Sequence, residues 1–189
     1  VITASEVFNV NENAINTTVV GTAAATDADG LSLQNWTITA GNTDNIFSIN
    51  ATSGEITVTD NTNLDYETTA SYTLTLTVED DATNVSTPET VTIDINDVND
   101  VAPVITASQV FNVNENAINT TSLGTVLATD ADGVSLANWT ITAGNTDAIF
   151  SINPVSGEIT VTDNTNLDFE ATASYTLTLT VEDDATNVS

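Results

Sequence analysis

From residue 7 onward, apolar and polar positions alternate in short runs, and no stretch shows helical spacing. Val7-Phe8-Asn9-Val10 predicts a first strand, residues 19–25 a second, and Trp36-Thr37-Ile38-Thr39 a third. Residues 46–49 and 55–58 flank Asn50-Ala51-Thr52-Ser53-Gly54, a segment with the turn chemistry of a hairpin. Residues 72–78 alternate apolar side chains with Thr and give the cleanest strand; residues 90–95 supply a seventh. Seven short strands in about 100 residues, with turn signals between them, predict a Greek-key β-sandwich.

The pattern then repeats. Residues 1–86 match 104–189 at a constant offset of 103, with 74 of the 86 positions identical and no insertion. The chain is therefore expected to be all-β, two tandem seven-stranded Greek-key β-sandwiches, over residues 1–99 and 100–189. The intervening segment 87–103 contains neither Gly nor Ser and does not read as a flexible linker. The second copy ends at Ser189, the counterpart of Ser86, so nothing in it corresponds to the seventh strand. Two expectations follow: a longer array of which this is an excerpt, or a strand supplied by another chain. The absence of an initiator Met also points to an excerpt or a processed chain.

Composition narrows the chemistry. There are 27 Asp and Glu, no Lys, Arg, His, Cys or Met, and a formal charge of −27. Nucleic acid and anionic membrane surfaces are excluded as partners, since both demand cationic side chains. Ser-His-Asp triads, Cys nucleophiles and Schiff-base lysines are impossible, and no enzyme activity is predicted. No apolar run approaches a membrane span. Carboxylate, amide, hydroxyl and carbonyl oxygens remain, and these suit hard divalent cations, calcium above all.

The acids cluster in loops and at strand ends: Asn11-Glu12-Asn13, Asp27-Ala28-Asp29, Leu64-Asp65-Tyr66-Glu67, Glu79-Asp80-Asp81 and residues 94–100. This ordered set resembles tandem cadherin repeats. Asn11-Glu12-Asn13 is similar to the Pro-Glu-Asn of that module; Asp27-Ala28-Asp29 and Asp130-Ala131-Asp132 resemble its Asp-x-Asp loop. Leu64-Asp65-Tyr66-Glu67 resembles Leu-Asp-Arg-Glu, with Tyr66 in place of Arg. Asp97-Val98-Asn99-Asp100-Val101-Ala102-Pro103 is similar to the inter-repeat Asp-x-Asn-Asp-Asn-x-Pro, with Val101 in place of Asn. Val78-Glu79-Asp80 and Val181-Glu182-Asp183 stand where the family has Ala-x-Asp.

The resemblance implies three calcium ions (Ca2+) at the one junction. Two would take Glu12, Asp65, Glu67, Asp97, Asp100 and the Val98 carbonyl. The third would take Asn99, the Val101 carbonyl, Asp130 and Asp183, with Asp132 bridging; Glu182, Asp183 and Asp184 offer three registers for the last donor. Asp27, Asp29 and Asp80 would be half of an upstream junction, and Glu115, Asp168 and Glu170 half of a downstream one. The implied role is extracellular: calcium stiffens the array into a rod that extends a surface adhesin from the cell, as in the extender regions of large bacterial adhesins. Expected partners are calcium, neighbouring repeats and a second copy of the protein. The alternatives are homophilic cell–cell adhesion and a filament assembled by strand donation. Trp36 and Trp139, both on the third strand, are expected in the core.

Overall fold

The longest strand shows how the alternating pattern becomes a layer. Along β6 (Ser71–Asp80), Tyr72, Leu74, Leu76 and Val78 are buried and the intervening Thr residues face outward. β-Branched Thr on the open face and large aliphatics on the closed one suit a half-buried pleated surface. The computed structural model describes residues 1–189, which separate into two units, Val1–Val98 and Asn99–Ser189.

In the first unit β6 belongs to a four-stranded sheet with β1 (Glu6–Asn11), β3 (Leu33–Ala40) and β7 (Glu89–Asn96), in the order β1-β7-β6-β3. β1 runs parallel to β7, while β6 is antiparallel to both β7 and β3. The facing sheet is β2-β5-β4, from β2 (Val19–Thr22), β4 (Phe47–Ile49) and β5 (Glu55–Val58). Between the sheets lie Trp36, Ile56, Val58, Leu74, Val91 and Ile93, and the Phe47 ring meets Tyr72 edge-on at 5.3 Å.

Local chemistry fixes the turns. The Asn50 side-chain oxygen accepts from the N–H groups of Thr52 and Ser53, and Gly54 closes the β4–β5 hairpin with φ of 73°. Gly41 has φ of 82°, and a Cβ there would lie 1.8 Å from the Thr73 carbonyl oxygen, so only glycine fits. Asn42 holds the following turn, donating to the Phe47 carbonyl at 2.7 Å and accepting its N–H at 3.0 Å. Two expected boundaries shift. The second strand stops at Thr22 rather than residue 25, because Ala23 bonds the Gly54 carbonyl and Ala25 forms only an isolated bridge with Ile2. The third strand runs longer, from Leu33, because Leu33 and Gln34 pair with Asp80 and Glu79.

The second unit contains β8 (Val104–Ile105), β9 (Ser122–Thr125), β10 (Ala128–Thr129), β11 (Ala137–Ala143), β12 (Phe150–Ile152), β13 (Glu158–Val161) and β14 (Thr178–Glu182). Its β12-β13-β9 sheet reproduces β4-β5-β2. The opposite sheet is reduced to β11-β14. The loss goes beyond the one strand foreseen. Residues 109–114, counterparts of β1, form no strand, and β14 begins four residues later than β6 does at the equivalent place. The reason is positional: β7 lies between β1 and β6, so both lose their partner when its counterpart is missing.

The consequence for the core is measurable. Leu74 is wholly buried, whereas its counterpart Leu177 is only partly so. Truncating a buried Leu to Ala typically costs about 2–5 kcal/mol, from lost transfer energy plus the residual cavity. Leu74→Ala is expected to fall in that range, and Leu177→Ala at less than half of it. Trp139→Phe and Trp36→Phe backgrounds leave one Trp reporter per unit, so denaturant unfolding followed by fluorescence reads each loss separately.

Candidate metal centre

Strand register decides which acids meet. β1 and β7 finish side by side at Asn11 and Asn96, and antiparallel β6 starts at that end, with Ser71 opposite Asp94. Glu12, the loop around Asp65 and Glu67, and Asp97 therefore share one end of the first unit. At the other end Asp80 pairs with Leu33, close to the loop carrying Asp27 and Asp29.

Glu12 is buried and held through both oxygens: Oε2 accepts the Tyr66 N–H at 2.7 Å and Oε1 the Val98 N–H at 2.6 Å. A carboxylate oxygen of Glu67 lies within 4.8 Å of one from Glu12 and of one from Asp97. That spacing is compatible with one shared calcium ion, because two oxygens each about 2.4 Å from it are at most about 4.8 Å apart. Asp65 is exposed, and Thr68 donates to both its oxygens, from the backbone at 3.0 Å and the hydroxyl at 3.1 Å. In the second unit Glu115, Asp168 and Glu170, the counterparts of Glu12, Asp65 and Glu67, have oxygens that all lie within 4.8 Å of one another. There the counterpart of Thr68 is Ala171, which contributes only its N–H to Asp168, at 3.1 Å.

The other set in the second unit is assembled by side-chain bonds. Asp130 Oδ1 accepts the Asp132 N–H at 2.9 Å, and Asp132 Oδ2 accepts the Val101 N–H at 3.0 Å. Asp183 is buried and takes the Asn187 N–H at 2.8 Å and the Asn187 amide at 2.7 Å. The same Asn187 amide donates to Asn99 Oδ1 at 3.2 Å, placing Asn99 beside Asp183. Asp100 is exposed; Asp184, one of the alternative registers, instead accepts the Asn99 amide at 2.6 Å, and Glu182 accepts that of Asn138. In the first unit Asp29 donates its N–H to Asp27, and Asp80 accepts twice from Asn84, as Asp183 does from Asn187.

Two atoms decide what this set can do. Asp130 Oδ2 and Asp132 Oδ1 are buried and have no hydrogen-bond partner. A buried anionic oxygen without a donor is costly, and this chain has no cationic side chain to offer. The donor set is all oxygen and fits calcium. Asn84 and Asn187 are the participants that sequence reading missed. Their signal was an Asn four residues after Asp80 and Asp183 in both copies. Side-chain and backbone hydrogen bonds from Asn84 hold the Asp80 carboxyl below the usual carboxylate range. Burial pushes Asp183 upward, but the bonds from Asn187 outweigh it and leave the carboxyl lowered.

Comparison with known proteins agrees with this reading of the sandwich. The cadherin domain model matches residues 6–96 and 109–189. Human Protocadherin Fat 1 is 36% identical over 165 residues, covering 85% of this chain and 4% of that protein. Mouse Cadherin EGF LAG seven-pass G-type receptor 2 is 35% identical over 175 residues, covering 92% and 6%. This chain thus spans only a small part of these relatives. Among solved structures, mouse Protocadherin-24 EC1-3 superposes with a TM-score of 0.77 at 25% identity, covering all of this chain and 66% of that one. The human Desmocollin-1 ectodomain gives 0.67 at 25% identity, covering 96% and 36%. Both units carry the cadherin sandwich, and the chain belongs to the cadherin family.

Proposed function

We propose that this chain is a calcium-stiffened segment of an extracellular adhesin, in which ions shared between successive repeats lock a tandem array into a rod. The observation that carries the reading is the pair of buried, unpartnered oxygens on Asp130 and Asp132. Cadherin domains generally bind calcium, and their relatives here are adhesion proteins of the cell surface. The donors of the first unit would be Glu12, Asp65, Glu67, Asp97 and the Val98 carbonyl. Those of the second would be Asn99, Asp100, the Val101 carbonyl, Asp130, Asp132 and Asp183. Asp27, Asp29 and Asp80, and Glu115, Asp168 and Glu170, would serve neighbouring repeats in the same way. The repeats are taken to divide after Asn99.

The mechanism is electrostatic. Without calcium, the acids repel one another and adjacent repeats swing independently; bound calcium turns that repulsion into shared ligation. Extracellular calcium modules typically bind at about 10⁻⁴–10⁻³ M, so the sites fill outside the cell and empty in cytoplasm. A rod of this kind holds a binding tip away from the surface. Near-identical repeats and a composition without basic residues favour the extender of a large bacterial adhesin as the setting.

The test pairs thermal melting with small-angle scattering, in chelator and in 10 mM calcium. One site of millimolar affinity adds roughly 1.4 kcal/mol at that concentration, and several sites raise the melting temperature by several degrees. The maximum dimension narrows to that of a single extended shape, and Glu12→Gln with Asp132→Asn removes most of both responses. An unchanged melting temperature and scattering curve would sink the proposal.

A second prediction follows from the carboxyls lowered by Asn84 and Asn187. A group whose folded value lies below its ordinary 3.8 contributes stability that is present above that pH and lost as pH falls through the folded value. In calcium-free buffer, Asn84→Ala with Asn187→Ala should therefore melt below the parent at pH 7. That gap should narrow as pH falls below 3.8 and the carboxylates take up protons in both proteins. Melting curves over this range check the sign.

A further inference from the structure

We propose that Asp184 is a positioning residue of the metal centre: it turns the Asn99 carboxamide so that the amide oxygen, and not the nitrogen, faces the ion. The proposal rests on the calcium reading above and adds to it the group that aims one of the donors. Three successive acids occupy the end of β14 and the turn after it, and each meets a different partner. Glu182 accepts the amide of Asn138, a residue of β11, at 2.8 Å. Asp183 is buried and accepts from Asn187. Asp184 is exposed, and its Oδ1 accepts from Asn99 Nδ2 at 2.6 Å.

That bond leaves Asn99 one orientation. A carboxylate only accepts hydrogen bonds, so the amide nitrogen must lie on the Asp184 side. On the other side stands Asn187 Nδ2, which only donates, reaching Asn99 Oδ1 at 3.2 Å and Asp183 Oδ2 at 2.7 Å. Carboxylate, amide, amide and carboxylate thus form one row in which each member fits only as it stands. Turning Asn99 over would set its oxygen against the Asp184 carboxylate and its nitrogen against that of Asn187. Asp184 is the stronger of the two restraints, because a charged acceptor roughly doubles the strength of a hydrogen bond. The Asn99 oxygen has two lone pairs; Asn187 uses one, and the second can meet a hard cation. Asn187 also ties this oxygen to Asp183, so both donors are gathered before an ion arrives. An amide nitrogen in the same place would repel the ion. Asp184 therefore acts through Asn99, as the outer partner that orients a ligand.

The experiment titrates the full chain with calcium and follows the Val101 N–H, which donates to Asp132 Oδ2, by nitrogen-15 NMR. It is run at about 1 M salt, where bare charge reaches only about 3 Å, so that loss of the Asp184 charge by itself matters little. Asp184→Ala should weaken the binding midpoint about tenfold or more, the usual effect of removing a group that orients a metal ligand. Asp184→Asn keeps an acceptor without the charge and should recover most of that loss. In the Asn99→Asp background an oxygen faces the ion either way up, so Asp184→Ala should cost no affinity there, a non-additivity that lost packing does not produce. In chelator, the Asn99 side-chain N–H resonances should move on Asp184→Ala. Unmoved resonances, equal weakening by the Ala and Asn variants, or the same loss in the Asn99→Asp background would each overturn the orienting role and leave the calcium reading standing. A parent chain whose Val101 resonance ignores calcium overturns both.

Discussion

The chain must place its carboxylates without a single cationic side chain to answer them. Every other feature of the site follows from that constraint. Oxygens that can be satisfied by N–H groups are: Glu12 by two backbone donors, Asp80 and Asp183 by an asparagine each. The oxygens left over fall at Asp130 and Asp132, both buried. An unsatisfied buried oxygen costs about 1–3 kcal/mol, and more when charged. On the proposed reading, an external divalent ion supplies the missing charge. Stability and function are then one equilibrium, since whatever fills the site also relieves the strain of folding around it.

A second constraint is topological. β7 is the strand paired with both β1 and β6, so it joins them into one sheet and adds Val91, Ile93 and Ile95 to the core. The two units form a natural comparison, with almost the same residues and different environments. Where β7 is present, Tyr72, Leu74 and Leu76 are buried; where its counterpart is missing, Tyr175, Leu177 and Leu179 are only partly covered.

Much of this was legible in the sequence. Period-2 alternation located the strands, the Asn50–Gly54 turn chemistry located a hairpin, and the 103-residue offset located the repeat. Both Trp residues lie in the core, as their strand positions imply. What escaped was whatever depends on two distant segments at once. The loss of the β1 counterpart could not be read from residues 109–114, which are almost those of β1 itself; only the parallel pairing of β1 with β7 explains it. Asn84 and Asn187 escaped because an amide in a loop looks like solvent-facing polarity until its carboxylate partner is buried. Asp65 and Asp168 share a motif, yet one hydroxyl, present in Thr68 and absent in Ala171, changes how their oxygens are engaged.

The central claim is that a calcium ion completes the Asp130–Asp132 site. Its most direct test is a crystal of this chain grown in calcium, with anomalous scattering used to locate the metal. The account predicts an ion within about 2.6 Å of both Asp130 Oδ2 and Asp132 Oδ1. The account is contradicted if, at saturating calcium, those two oxygens are met only by water or protein donors.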